Sequence, residues 1–156
     1  MRWFHDGSTI TASLFPQEFG CRLRSCRVPL VAIVPDVNRA ILVVEDHRSI
    51  REGMVQALTH EGFVGIPAAN GQEALDYLKS GGPASVIVLD LTMPVMNGWT
   101  FRQQQQDDPR LADIPTIVLT GFESRPFEDD TPAAILQKPV DLRALIALLE
   151  VLCDAR

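Results

Sequence analysis

From residue 40 onward the chain alternates short apolar runs with stretches in which apolar residues return every three or four positions. Five runs read as strands: Ala40 to Val44, Phe63 to Pro67, Ser85 to Leu89, Thr116 to Leu119 and Ala133 to Gln137. Ile41-Leu42-Val43-Val44 and Val86-Ile87-Val88-Leu89 are apolar at every position, as strands of a parallel sheet covered on both faces must be. Ile50, Met54 and Leu58 predict a first helix with one buried stripe. Asn70 followed by Glu73 has the form of a capping box and opens a second helix, whose stripe is Ala74, Leu75 and Leu78. Gly98 to Gln106 reads as a third. Asp141 is placed as the N-cap of the last helix, with Leu142, Leu145, Ile146, Leu149 and Leu152 inward. Between Thr120 and Lys138, Pro126 and Pro132 oppose a continuous helix, so helix 4 is expected to be short or irregular. Strand-helix alternation with right-handed crossovers predicts a doubly wound α/β sandwich on a five-stranded parallel sheet of order 2-1-3-4-5.

Residues 1–37 lack such a period and carry Pro16, Pro29 and Pro35, so they read as a disordered N-terminal extension to a domain over 38–156. The 156 residues suit one domain, and 46% hydrophobic content supplies one packed core. Net charge is -6, and Arg2, Arg22, Arg24 and Arg27 outnumber Asp6, Glu18 and Asp36 in the extension, so the acidity belongs to the domain. An acidic chain without a segregated basic patch argues against direct nucleic-acid binding. The apolar runs fall far short of the ~20 residues that cross a bilayer, and no secretory signal pattern opens the chain, so no membrane contact and a cytoplasmic location are expected. Cys21, Cys26 and Cys153 fit reduced thiols better than disulfides or a zinc site.

The polar residues that matter stand where strands stop. Glu45 and Asp46 follow the first strand, Asp90 the third, Thr120 the fourth and Lys138 the fifth. In an open parallel sheet all carboxyl ends share one edge, where ligands bind between strands 1 and 3. Three carboxylates gathered there repel one another, each pair by ~4 kcal/mol at about 4 Å and an effective dielectric near 20. One lysine cannot neutralise them. A hard divalent cation such as Mg²⁺ suits these oxygens and then presents a positive face to a phosphoryl group. Lys138 and Thr120 can hold further phosphoryl oxygens, and one carboxylate is left to take phosphate covalently.

The chain resembles a response-regulator receiver domain, the CheY-like phosphoacceptor of two-component signalling. The resemblance rests on Ile41-Leu42-Val43-Val44-Glu45-Asp46, on Val88-Leu89-Asp90-Leu91-Thr92-Met93-Pro94-Val95-Met96-Asn97-Gly98, on Val118-Leu119-Thr120-Gly121 and on Gln137-Lys138-Pro139. It implies that Asp90 is the phosphoacceptor, that Glu45, Asp46, Asp90 and the Thr92 backbone carbonyl surround Mg²⁺, and that Thr120 and Lys138 contact the phosphoryl group. It also implies a cis Lys138-Pro139 bond that places the ammonium over the site, and a Gly98 that frees the backbone after the nucleophile loop. His47, beside the acid pair, is expected to be an exposed first-turn residue, because Mg²⁺ prefers oxygen. The Gln103 to Gln106 run is expected to be a solvated helix face and Glu128-Asp129-Asp130 a solvated loop.

The chain departs from the family between Thr120 and Lys138, where 17 residues (121–137) are fewer than the resemblance leads one to expect. Ile135 stands three residues before the lysine, where many receivers carry a switching aromatic, and is expected to pack under the sheet edge. Phe122 is apolar where many relatives are polar and is expected to shield an aspartyl phosphate from water. Three residues follow the last helix, too few for an output domain, so the expected function is a stand-alone receiver. It would take phosphate from a histidine kinase or histidine phosphotransfer protein and act by changed protein binding or phosphorelay. It would catalyse only its own phosphotransfer and autodephosphorylation. Two other classes compete. One is a receiver-like interaction module that no longer switches, against which both Asp90 and Lys138 argue. The other is a Mg²⁺-dependent phosphatase with an Asp nucleophile, which needs a second Asp where this chain has Thr92.

Overall fold

The computed structural model describes residues 39–121 and 131–155. The elements are β1 (Ala40–Val44), α1 (Arg48–His60), β2 (Val64–Ala68), α2 (Gly71–Lys79), β3 (Val86–Asp90), α3 (Gly98–Asp107), β4 (Thr116–Thr120), β5 (Ala134–Gln137) and α4 (Leu142–Asp154). The strands form one parallel sheet in the order β2-β1-β3-β4-β5, as expected. Helix α4 is the last of the sequence-based helices. The expected helix 4, Pro126, Phe122 and the Glu128-Asp129-Asp130 run lie outside the described residues, as do Cys21, Cys26 and residues 1–37.

Alternation along each strand sorts the core into two layers. Ile41, Val43, Val86, Val88, Ile117 and Leu119 pack with Met54 and Leu58 of α1 and with Leu145 and Leu149 of α4. Leu42, Val44, Ile87 and Leu89 pack on the other face with Ala74, Leu75 and Leu78 of α2 and Phe101 of α3. The central strands are therefore buried at every position, which is why they lack polar alternation. β2 is an edge strand, and there Pro67 needs no ladder donor on its free side.

The helix starts follow local chemistry. The Asn70 side chain accepts from the Glu73 N–H at 3.0 Å, while Glu73 reaches back to the Ala69 N–H at 2.8 Å. Asp141 caps α4 by accepting from the Arg143 N–H at 2.9 Å.

Three sequence-based placements need correction. Ile50 and Leu142 are not inside the core but half-exposed, because both line a cavity of about 340 Å³ between α1 and the start of α4. Cys153 takes an inward position on α4 instead. Ile135 is 54% exposed rather than packed under the sheet edge, since Ala134 and Leu136 take the inward positions of β5 and Ile135 points to the opposite face.

The third correction is chemical. Gln105 is fully buried, not part of a solvated face. Its amide donates to the carbonyls of Leu111 and Ile114 at 3.0 and 2.9 Å, and its oxygen accepts from Arg102 Nη1 and the Thr116 hydroxyl. Arg102 Nη1 also donates to the Thr116 hydroxyl at 2.8 Å. This amide ties α3, the turn after it and the start of β4 together, with every polar group of the amide satisfied.

Candidate functional site

Glu45, Asp90 and Lys138 each continue the alternation of residues facing α1 and α4, so their side chains leave the sheet edge on one side. The Lys138 ammonium donates to Asp90 Oδ2 at 2.7 Å and to Glu45 Oε2 at 2.9 Å. Glu45 is 0% exposed and Asp90 nearly as buried. Burial alone works against the charged lysine. The hydrogen bonds to Asp90 and Glu45 and their charges outweigh it, and the Lys138 pKa is raised above the ordinary 10.5. The Lys138-Pro139 bond is cis.

The remaining expected residues stand around this pair. The Thr92 N–H donates to Asp90 Oδ1 at 3.1 Å, which fixes the carboxylate from its other side. Asp46 Oδ1 lies 3.3 Å from His47 Nδ1, and the His47 N–H donates to Glu45 Oε1 at 3.3 Å. His47 is exposed at the N-terminus of α1, as expected, but its ring nitrogen turns toward both acids. Thr120 is different. It shares the face of Thr116 and Ile135 by strand alternation, and its hydroxyl donates to the Gly121 carbonyl at 3.0 Å rather than to Asp90.

Two supports went unread in the sequence or were read for another reason. Arg51, one turn into α1, donates through Nη1 to the Glu45 carbonyl and to the Asp46 carbonyl at 3.1 Å, so it holds the backbone of the acid pair. An arginine five residues beyond an acid pair, on the first turn of a helix, is the signal for this clamp. Gly98 matters for space and not for unusual torsion: a Cβ there would lie 2.5 Å from the Asp90 carbonyl oxygen and 2.8 Å from the Leu91 Cα. The turn itself is made at Val95, which holds φ at 68° and is a strained position for a β-branched residue.

Three carboxylates against one ammonium leave an excess of negative charge, and carboxylate and carbonyl oxygens are the donors a hard divalent cation takes. The residues present therefore fit such an ion, and Glu45, Asp46 and His47 offer ligand atoms within 4.8 Å of one another. Among the described residues, no helix is long and apolar enough to cross a membrane.

Comparison with known proteins agrees with this geometry. Residues 41–150 match the response regulator receiver domain family. The chain is 32% identical over 123 residues to the sensor kinase CckA of Brucella abortus, which covers 75% of this chain and 13% of that one. It is 30% identical over 116 residues to the response regulator Rre1 of Synechocystis, covering 63% and 50%. It thus spans half or less of the length of these two relatives. Among solved structures, a receiver domain of a signal transduction histidine kinase from Syntrophus aciditrophicus superposes with a TM-score of 0.67, at 27% identity over 74% of this chain and 90% of that one. CheY4 of Vibrio cholerae gives 0.63, at 28% identity over 72% and 97%. With the fold, the acid cluster and the family match in agreement, the chain belongs to the response regulator receiver domains of two-component signalling.

Proposed function

We propose that Asp90 accepts a phosphoryl group from the phosphohistidine of a histidine kinase or a histidine phosphotransfer protein. The observation that carries this reading is the Asp90 carboxylate itself, buried at the end of β3 and held between the Lys138 ammonium and the Thr92 N–H. An oxygen of Asp90 bonds to phosphorus as the phosphorus–nitrogen bond of the donor breaks, and the released imidazole nitrogen takes up a proton. Glu45, Asp46, Asp90 and the Thr92 carbonyl would hold Mg²⁺. When bound, the ion neutralises charge on the transferred group.

Lys138 stays at the site and pairs with a phosphoryl oxygen once Asp90 carries the acyl phosphate. The Thr120 hydroxyl exchanges the Gly121 carbonyl for the phosphoryl group, and that exchange reshapes the surface a partner reads. All these residues lie within 38–156, which we take as the functional domain. The chain acts as a signalling phosphoacceptor through changed protein binding or phosphorelay, and its chemistry is confined to its own phosphotransfer and dephosphorylation. The test is uptake of phosphate from a small acyl phosphate with Mg²⁺: stoichiometric in the wild type, absent in Asp90→Asn and absent when Mg²⁺ is chelated. Uptake by Asp90→Asn at the wild-type level contradicts the proposal.

A further inference from the structure

The acid pair carries a third donor. His47 Nδ1 lies 3.3 Å from Asp46 Oδ1 and 3.7 Å from Glu45 Oε1. Ligand atoms about 2.1 Å from an ion stand roughly 3 Å apart when they are neighbours in its coordination shell, so the nitrogen and the Asp46 oxygen are already near chelating separation. Glu45 divides its two oxygens between different partners: Oε2 accepts from Lys138, while Oε1 faces His47. The imidazole is not committed elsewhere by helix capping, because His47 is the N-cap of α1 and makes no side-chain cap hydrogen bond. Its side chain is 72% exposed, so it can turn onto an ion without a burial penalty.

We infer that His47 supplies a nitrogen ligand to the cation held by Glu45 and Asp46, which tunes this receiver toward divalent first-row transition ions over Mg²⁺. The inference rests on the cation site proposed above. Imidazole nitrogen binds ions such as Co²⁺ and Ni²⁺ well, whereas Mg²⁺ takes oxygen donors and keeps several waters. The gain from His47 therefore falls almost wholly on the transition ion.

The test is calorimetric titration of the full chain with MgCl₂ and with CoCl₂, in the wild type, His47→Ala, His47→Gln and Asp46→Asn. His47→Ala and His47→Gln are each expected to weaken Co²⁺ binding at least tenfold more than they weaken Mg²⁺ binding. Spin-echo spectra of bound Mn²⁺ are expected to show imidazole nitrogen in the wild type and to lose it in both variants. Equal weakening of the two ions, or no weakening of either, overturns the role of His47. If Asp46→Asn leaves both affinities unchanged, the cation site itself is misplaced, a failure separate from that of His47.

Discussion

The Lys138 ammonium lies 2.7 Å from Asp90 Oδ2, across 48 residues of sequence, and it also donates to the fully buried Glu45. One cation therefore restrains two carboxylates, and losing the cation costs far more than losing one carboxylate. Lys138→Ala leaves Glu45 buried without a counter-charge, a kind of change that costs about 3–5 kcal/mol. With Lys138 30% exposed, we expect about 3 kcal/mol by urea unfolding without divalent cation, partly restored by Mg²⁺. Asp90→Asn removes one of three crowded carboxylates and keeps an acceptor for the Thr92 N–H, so its melting temperature stays close to wild type. If Asp90→Asn falls as far as Lys138→Ala, charge crowding is not what shapes the site.

The raised Lys138 pKa has a definite sign in stability. The folded state holds this proton more tightly than the unfolded chain, so the contribution is fully present below the unfolded value of 10.5 and is lost as pH rises through the higher folded value. The stability difference between wild type and Lys138→Met should stay level from neutral pH to about pH 10 and shrink above it. Denaturant titrations across that range check this, and a difference already shrinking near neutrality contradicts it.

Gln105→Ala should destabilise the fold by about 3 kcal/mol, since it strips partners from the Leu111 and Ile114 carbonyls and from Arg102 at once. Chemical denaturation gives the value. The neighbouring Gln103 and Gln106 are exposed, and their alanine variants should change stability by less than about 0.5 kcal/mol.

Gly98→Ala forces a methyl against the Asp90 carbonyl oxygen and the Leu91 Cα, both of them backbone, so no side chain can yield. A loss of about 1–3 kcal/mol is expected, together with weaker Mg²⁺ binding, because the displaced segment carries Thr92. Unchanged Mg²⁺ affinity in a destabilised variant would separate the loop from the cation site.

The strands and the acid cluster were legible because their signals are chemical and local. Apolar runs such as Val86 to Leu89 have no amphipathic reading, and acids at strand ends meet wherever the strands are parallel. The orientation of Thr120 was not read: the sequence grouped it with Lys138, whereas alternation along β4 puts Ile117 and Leu119 on the side of α1 and α4 and turns Thr120 the other way. Gln105 was not legible. Four consecutive glutamines carry the same chemistry, and which of them turns inward depends on carbonyls that the later turn at Leu111 and Ile114 brings beneath the helix. Ile50 and Leu142 kept their helical spacing but met a cavity, and spacing does not report whether the opposing layer is filled. Gly98 was read as a residue of backbone freedom, although its neighbours require it for its missing Cβ.

The most direct measurement of the central claim is the position of the phosphate. After incubation with Mg²⁺ and a small acyl phosphate, peptide mapping by mass spectrometry should place one acid-stable, base-labile phosphate on Asp90. The same treatment of Asp90→Asn should leave every peptide unmodified. Phosphate found on a serine, threonine or histidine, or on Glu45 or Asp46 with Asp90 unmodified, would contradict the account.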